Sequence, residues 1–177
     1  MENEIGAVRG AKQYLEEFYF PNNMEDVVRT SSIQPIRWNP PQGQTFKENV
    51  DGAIFAELKA VGIRVVKRDM EGKVKAVLSK KINAPLGPVE DETKAFEMGI
   101  QFANDMGIRD VLIEGDSLIV QRALNELASP PPLVDAVIVG IQDASADFHP
   151  KAFTHVGCQG NKSAHLLAKY AKGIDDV

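Results

Sequence analysis

The feature that most narrows the fold is a change of hydrophobic period near residue 85. Phe46 to Phe55 alternates, with Phe46, Val50 and Ile54 on one side and Asn49, Asp51 and Ala53 on the other. Gly62 to Arg68 forms a second strand-like run, Glu71-Gly72 offers a turn, and Lys73 to Ile82 forms a third. Three such runs in series predict an antiparallel meander. Pro85, Gly87 and Pro88 then break the chain. Beyond them the spacing becomes helical over 90–106, where Ala95, Met98, Gly99, Phe102 and Met106 make one stripe and Gly107 supplies a stop. Val111 to Glu114 reads as a short strand. Ser117 to Leu127 and Leu133 to Ala144 read as helices on either side of the rigid Ser129-Pro130-Pro131-Pro132. Ala152 to Val156 reads as a strand, and Asn161 to Lys172 as a last helix. The order β-β-β-α-β-α-α-β-α predicts an α/β fold, a five-stranded mixed sheet flanked by helices.

Ahead of this pattern, residues 4–18 form an amphipathic stripe of Ile5, Val8, Ala11, Leu15 and Phe18 that ends at Pro21-Asn22-Asn23. Residues 21–37 lack periodicity. The expected organisation is an N-terminal helix and linker over 1–31 and a domain over 32–177. The apolar stripe needs a cover, either the domain or a protein partner. A chain of 177 residues fits one domain of ordinary composition. No apolar run approaches the roughly 20 residues of a membrane span. Met1 to Phe20 holds six charged residues and does not read as a secretory signal. The single cysteine, Cys158, excludes an intrachain disulfide and suits a reducing compartment. An intracellular setting, nuclear or cytoplasmic, is the expectation.

The net charge of −5 hides an asymmetry. Between Lys59 and Lys81 lie eight basic residues, opposed only by Asp69 and Glu71. A local basic face on an acidic body is compatible with phosphate contacts, and also with a merely solvated hairpin. Three acids stand out. Asp51 lies in mid-strand among apolar neighbours, where an unpaired carboxylate is costly. Asp116 ends a strand and could be only a helix N-cap. Glu92 opens a helix and could be only a first-turn acid favoured by the dipole. If the three converge, they repel one another unless a cation lies among them, and oxygen ligation suits Mg²⁺ or Mn²⁺.

The run Asn49-Val50-Asp51-Gly52-Ala53, followed by Arg68-Asp69-Met70-Glu71-Gly72, resembles the opening of the plant ribonuclease H-like domain of reverse-transcriptase-type retroelements. Asp91-Glu92 matches the helix start of that family, and Glu114-Gly115-Asp116-Ser117 its E-G-D-S. Phe153-Thr154-His155-Val156 and Asn161-Lys162-Ser163-Ala164-His165-Leu166-Leu167-Ala168 match its close. The resemblance runs from about 38 to 170, with the upstream Trp38 in place. It implies the ribonuclease H-like fold and cleavage of the RNA strand of RNA/DNA hybrids by two divalent ions that activate a water and stabilise the leaving oxygen. By position, Asp51 would bridge both ions, with Glu92 and Asp116 completing the shell. His155 would match a histidine that helps proton transfer or product release. The nucleic-acid contacts would fall to Arg64, Lys67, Arg68, Lys80, Lys81 and Asn161.

The chain departs from that pattern at three points. Active relatives carry a fourth metal acid where this chain has His165, and imidazole serves hard Mg²⁺ poorly. Cys158 stands where many plant relatives have Arg. The family's G-x-G in the second strand is reduced to Gly62-Ile63-Arg64. The alternative reading is therefore a domesticated, weakly active or inactive module that binds nucleic acid or a protein.

Overall fold

The structure is a computed structural model that describes residues 39–41, 43–149 and 152–157. The helix expected over 4–18, its linker, the helix expected over 161–172, and Trp38, Cys158, Asn161 and His165 lie outside the described residues.

The meander forms as expected. Strand β1 (Phe46–Phe55) pairs antiparallel with β2 (Ala60–Arg68), in register from Lys47↔Arg68 to Phe55↔Ala60. A 3₁₀ turn, Ala56–Leu58, joins them, and Lys59 closes it at φ 47°, in the left-handed region. Strand β3 (Val74–Ile82) pairs antiparallel with β2. The turn between them is built by Asp69, whose Oδ1 accepts the backbone N–H groups of Glu71 and Lys73, both at 2.9 Å. Gly72 takes the φ of +78° that this turn requires.

The alternation that follows places α1 (Pro88–Asp105), β4 (Val111–Gly115), α2 (Leu118–Leu124), α3 (Asp135–Ala144) and β5 (Ala152–His155). Among the described residues one sheet forms, in the order β3-β2-β1-β4-β5, with β1–β4 and β4–β5 parallel. The fold is the five-stranded mixed α/β sheet flanked by helices that the periodicities predict.

Helix α1 lies against one face of the sheet through Ala95, Phe96, Met98, Gly99, Ile100 and Ala103. The expected stripe shifts slightly: Phe102 is half-buried and Met106, at the helix end, is exposed. Two glycines let α1 approach. A Cβ on Gly99 would lie 2.8 Å from Val50 Cγ1, and one on Gly115 would lie 2.7 Å from the Phe96 ring. Phe96 in turn meets Phe153 of β5 edge-on, with ring centroids 6.1 Å apart. Ile138 and Ile141 of α3 join this core. All nine residues of β2 are buried, so both faces of the sheet's middle are covered.

Beneath α1 lies an ion pair. Glu48 Oε1 is 2.9 Å from Lys67 Nζ, and both side chains are fully buried. The contact is one of charge more than of a well-directed hydrogen bond. Lys67 also approaches the Phe102 ring, 5.0 Å from its centroid, and Met106 Sδ at 3.3 Å. Burial pushes Glu48 up to about 7, because desolvation outweighs the pull of Lys67.

Candidate metal centre

The site begins where two parallel strands part. The β1–β4 ladder runs from Phe46↔Val111 to Asn49↔Glu114 and stops there. Asp51 lies two residues beyond Asn49, and Asp116 two beyond Glu114. Both carboxylates therefore stand at the mouth of the fork, just past the carboxyl end of the β1–β4 ladder. Asp51 is held by its β2 pairing opposite Arg64. Asp116 is not a helix cap: Ser117 takes that role, its Oγ accepting the Val120 N–H at 3.4 Å. This leaves the Asp116 carboxylate to the fork.

Glu92 arrives from the other direction. Helix α1 starts at Pro88, where the missing N–H costs nothing. Glu90 Oε2 accepts the Gly87 N–H at 2.8 Å and fixes the first turn. The dipole position is occupied by Glu90 and Asp91, and Glu92 is turned toward the two aspartates. One carboxylate oxygen from each of Asp51, Glu92 and Asp116 lies within 4.8 Å of the others. Asp51 is buried and the other two are half-buried.

The electrostatics of this cluster are those of a site short of positive charge. Glu92 is pushed up to about 9, first by burial and then by the charges of Asp116, Asp51 and Asp91. It holds a proton at neutral pH, and its Oε2 is buried with no hydrogen-bond partner. A divalent cation would replace that proton and satisfy that oxygen. Three hard oxygens of this kind fit Mg²⁺ or Mn²⁺.

Asp91, which the sequence reading passed over as half of a helix-start motif, is itself a constraint. It is buried, its Oδ1 has no hydrogen-bond partner, and burial raises its carboxyl to about 7. A Cβ on Gly52 would sit 2.4 Å from Asp91 Oδ2, so any side chain after Asp51 would displace the buried Asp91 carboxylate.

The remaining expected site residues divide. His155 is exposed at the end of β5, and its Nε2 is 3.1 Å from the Asp116 carbonyl oxygen. It therefore stands beside the cluster. The basic face is corrected. Lys67 is paired with Glu48 under α1, Arg64 is 1% exposed, and Arg68 is buried with its Nη1 donating to Asn49 Oδ1 at 2.7 Å. Strand β2 lies inside the sheet with both faces covered, so its basic residues are enclosed by the protein and cannot reach a phosphate. Lys80 is exposed and Lys81 half-buried, on β3 at the end of the strand order.

Sequence reasoning missed the polar network on the sheet face away from α1. Lys47 Nζ is 3.1 Å from Glu114 Oε1 and donates to the Asn39 carbonyl at 2.8 Å. Asn49 Nδ2 donates to Glu114 Oε2 at 2.8 Å. The signal that could have found it was the placement of Lys47 and Asn49 at the same parity as Asp51 in a mid-sheet strand, where polar residues are costly without partners.

Comparisons with known proteins agree with this geometry. Residues 49–171, more than half of the chain, match a sequence family described as reverse transcriptase-like. No curated protein sequence matches the chain. Among solved structures, ribonuclease H1 of the halophilic archaeon Halobacterium salinarum is 20% identical, with a TM-score of 0.64 over 72% of this chain and 97% of its own. The LC11 ribonuclease H1 isolated from compost, in complex with an RNA/DNA hybrid, is 18% identical, with a TM-score of 0.63 over 71% of this chain and 95% of its own. The foamy viral protease-reverse transcriptase bound to an RNA/DNA hybrid is 18% identical, with a TM-score of 0.56 over 87% of this chain and 23% of its own. With three converging acids at the fork of a ribonuclease H-like sheet, the chain belongs to the reverse transcriptase-like family.

Proposed function

We propose that this chain is a divalent-metal-dependent endonuclease that hydrolyses the RNA strand of RNA/DNA hybrids, of the plant retroelement-derived type its motif run resembles. The observation that carries the reading is the convergence of Asp51, Glu92 and Asp116 within 4.8 Å at the strand fork. Its companion is the upward push on Glu92, to about 9, by burial and by the neighbouring acid charges when no cation is present. When bound, Mg²⁺ or Mn²⁺ would supply Lewis-acid activation of the attacking water and stabilisation of the leaving oxygen. Asp51, Glu92 and Asp116 would hold the cation, Asp51 from the central strand, Asp116 from the end of β4 and Glu92 from the first turns of α1. His155, exposed beside Asp116, would help proton transfer or product release, the role its motif position implies. His165 occupies the position of a fourth acid and would offer nitrogen in place of oxygen. Of the cations expected to meet phosphate, Lys80 and Lys81 keep that role, with Asn161 as a further contact.

A second reading is a module that binds without cleaving. It is favoured by His165 in place of a fourth acid, and the burial of Arg64, Lys67 and Arg68, which removes three charges from the expected phosphate face, turns it toward a protein partner. In either case residues 1–31 would serve as the segment that engages a protein partner.

The deciding experiment is cleavage of a labelled RNA/DNA hybrid by the wild type, Asp51→Asn and His165→Asp, in Mg²⁺ and separately in Mn²⁺. The expected result is slow cleavage that favours Mn²⁺, none with Asp51→Asn, and a gain in Mg²⁺ with His165→Asp. No cleavage by either the wild type or His165→Asp would support the binding module instead.

A further inference from the structure

The buried network on the far face of the sheet lies at a position that bears on the metal centre. Asn49 and Glu114 are the last aligned pair of the β1–β4 ladder. Each precedes a metal acid by two residues on its own strand, Asn49 before Asp51 and Glu114 before Asp116. Their side chains join across the strands at 2.8 Å just before the backbone pairing ends. The distance between the two strands at the fork is therefore set by a side-chain bond as well as by the ladder.

That bond is polarised from both ends. The Asn49 amide donates through Nδ2 to Glu114 and accepts through Oδ1 from Arg68 Nη1 at 2.7 Å. It can have only one orientation, since a flipped amide would face Arg68 donor to donor and Glu114 acceptor to acceptor. Glu114 in turn takes Lys47 Nζ on Oε1 at 3.1 Å, with Thr154 Oγ1 at 3.5 Å on the same oxygen. The chain of contacts thus crosses β2, β1, β4 and β5. Asn49, Arg68, Glu114 and Lys47 are all buried, so water competes little for these bonds. No backbone pair continues the β1–β4 ladder past Asn49↔Glu114, so among the described residues this network is the last brace before the acids.

We propose that Asn49 and Glu114 are positioning residues for the metal centre: their bond holds the fork at the width that lets Asp51 and Asp116 share a cation with Glu92. The inference rests on the reading of that acid cluster as a divalent-metal site. It extends that reading to residues that touch no ligand. A carboxylate pair that must share an ion tolerates little change in separation, and a shell left to relax loses affinity.

The test exchanges the polarity of the pair. Asn49→Asp places two carboxylates face to face, and Glu114→Gln leaves one acceptor for two donors, so that its NH2 opposes either the Asn49 amide or Lys47, while removing the charge that Lys47 meets. The double variant Asn49→Asp/Glu114→Gln restores donor against acceptor and keeps the net charge. In it the carboxylate introduced on β1 would accept from Arg68 and from the amide introduced on β4, and the oxygen of that amide would accept from Lys47. Binding of Mn²⁺ and Mg²⁺ to the full chain is measured by calorimetry, alongside urea unfolding without metal. Each single variant should weaken metal binding at least tenfold. The double variant should return to within about threefold of the wild type. Asn49→Ser, which deletes both amide bonds without adding charge, serves if a single exchange does not fold. Single variants that lose stability yet bind metal like the wild type would overturn the proposal, as would a double variant no better than its parents. If the wild type itself binds neither ion at millimolar concentration, the metal reading fails separately. The positioning claim is then decided by crystal structures of the metal-free variants. It predicts that the Asp51 and Asp116 carboxylates draw apart in each single variant and close again in the double. Carboxylates that stay together in the single variants would refute it.

Discussion

Glu92 is the residue in which sequence, fold and chemistry meet. Its folded value of about 9 stands well above the 4.5 of an unperturbed glutamate, so the folded state holds a proton that the unfolded chain releases. Its contribution to stability is therefore fully present below about 4.5 and is lost as the pH rises through about 9. Without metal, the wild type should become less stable across that window. Glu92→Gln, a neutral isostere, should show a flatter profile and a higher melting temperature at pH 8–9. Asp91 and Glu48, both raised to about 7, slope the same way, so the difference between the two proteins isolates Glu92. Because a cation must displace the proton, metal affinity of the wild type should rise with pH up to about 9. Calorimetry at pH 6, 7, 8 and 9 checks this, and a flat affinity would contradict it. The Glu48–Lys67 pair belongs to the same scale. Lys67→Met leaves a buried carboxyl without its cation and should cost about 3–5 kcal/mol in urea unfolding, whereas replacing both residues by Met should be nearly neutral.

At the scale of elements, the seating of α1 on the sheet decides whether Glu92 reaches the fork. The helix approaches where β1 and β4 present Val50 and Gly115, and Gly99 completes the fit from its own side. Gly115→Ala and Gly99→Ala should each lift α1 and cost about 1–3 kcal/mol by overpacking, and each should also weaken metal stabilisation. Gly140 in α3 has nothing within 4 Å of an added Cβ. Gly140→Ala should instead stabilise by about 0.5–1 kcal/mol through helix propensity. Thermal unfolding of the three variants, with and without Mn²⁺, separates close approach from propensity. If Gly115→Ala behaves like Gly140→Ala, the account of the helix seating is wrong.

At the scale of the whole molecule, a cation that binds the folded chain alone stabilises it by mass action, about 2.7 kcal/mol at a hundredfold excess over its Kd. Mn²⁺ should therefore raise the melting temperature of the wild type but not that of Asp51→Asn. Binding of a hybrid should also show a modest salt dependence. With Arg64, Lys67 and Arg68 enclosed, Lys80 and Lys81 should account for a log–log slope of about −2. Lys80→Gln/Lys81→Gln should remove most of that slope. A wild-type slope several times steeper, unchanged in the double variant, would place the phosphate contacts elsewhere.

Much of this molecule is legible in the chain alone. Alternation over Phe46–Phe55 located β1 to the residue, because a period of two is a local property of a strand with two unlike faces. The helix read over 90–106, found at 88–105, the strand before Gly115 and the order of the described elements followed from the same local logic, and a mid-strand Asp51 signalled a partner. Motif spacing then singled out Asp51, Glu92 and Asp116, which the fold brings together. What sequence could not determine was which polar residues lie inside. Arg64, Lys67 and Arg68 read as a basic surface because a charge count carries no depth. Only the pairing of β2 between β1 and β3 put them inside, Lys67 under α1 and Arg64 and Arg68 on the opposite face of the sheet. The bond between Asn49 and Glu114 was likewise invisible, since 65 residues separate them and only the parallel register of β1 on β4 makes them neighbours. Local periodicity specifies elements, but burial and long-range polar partners exist only once the sheet has assembled.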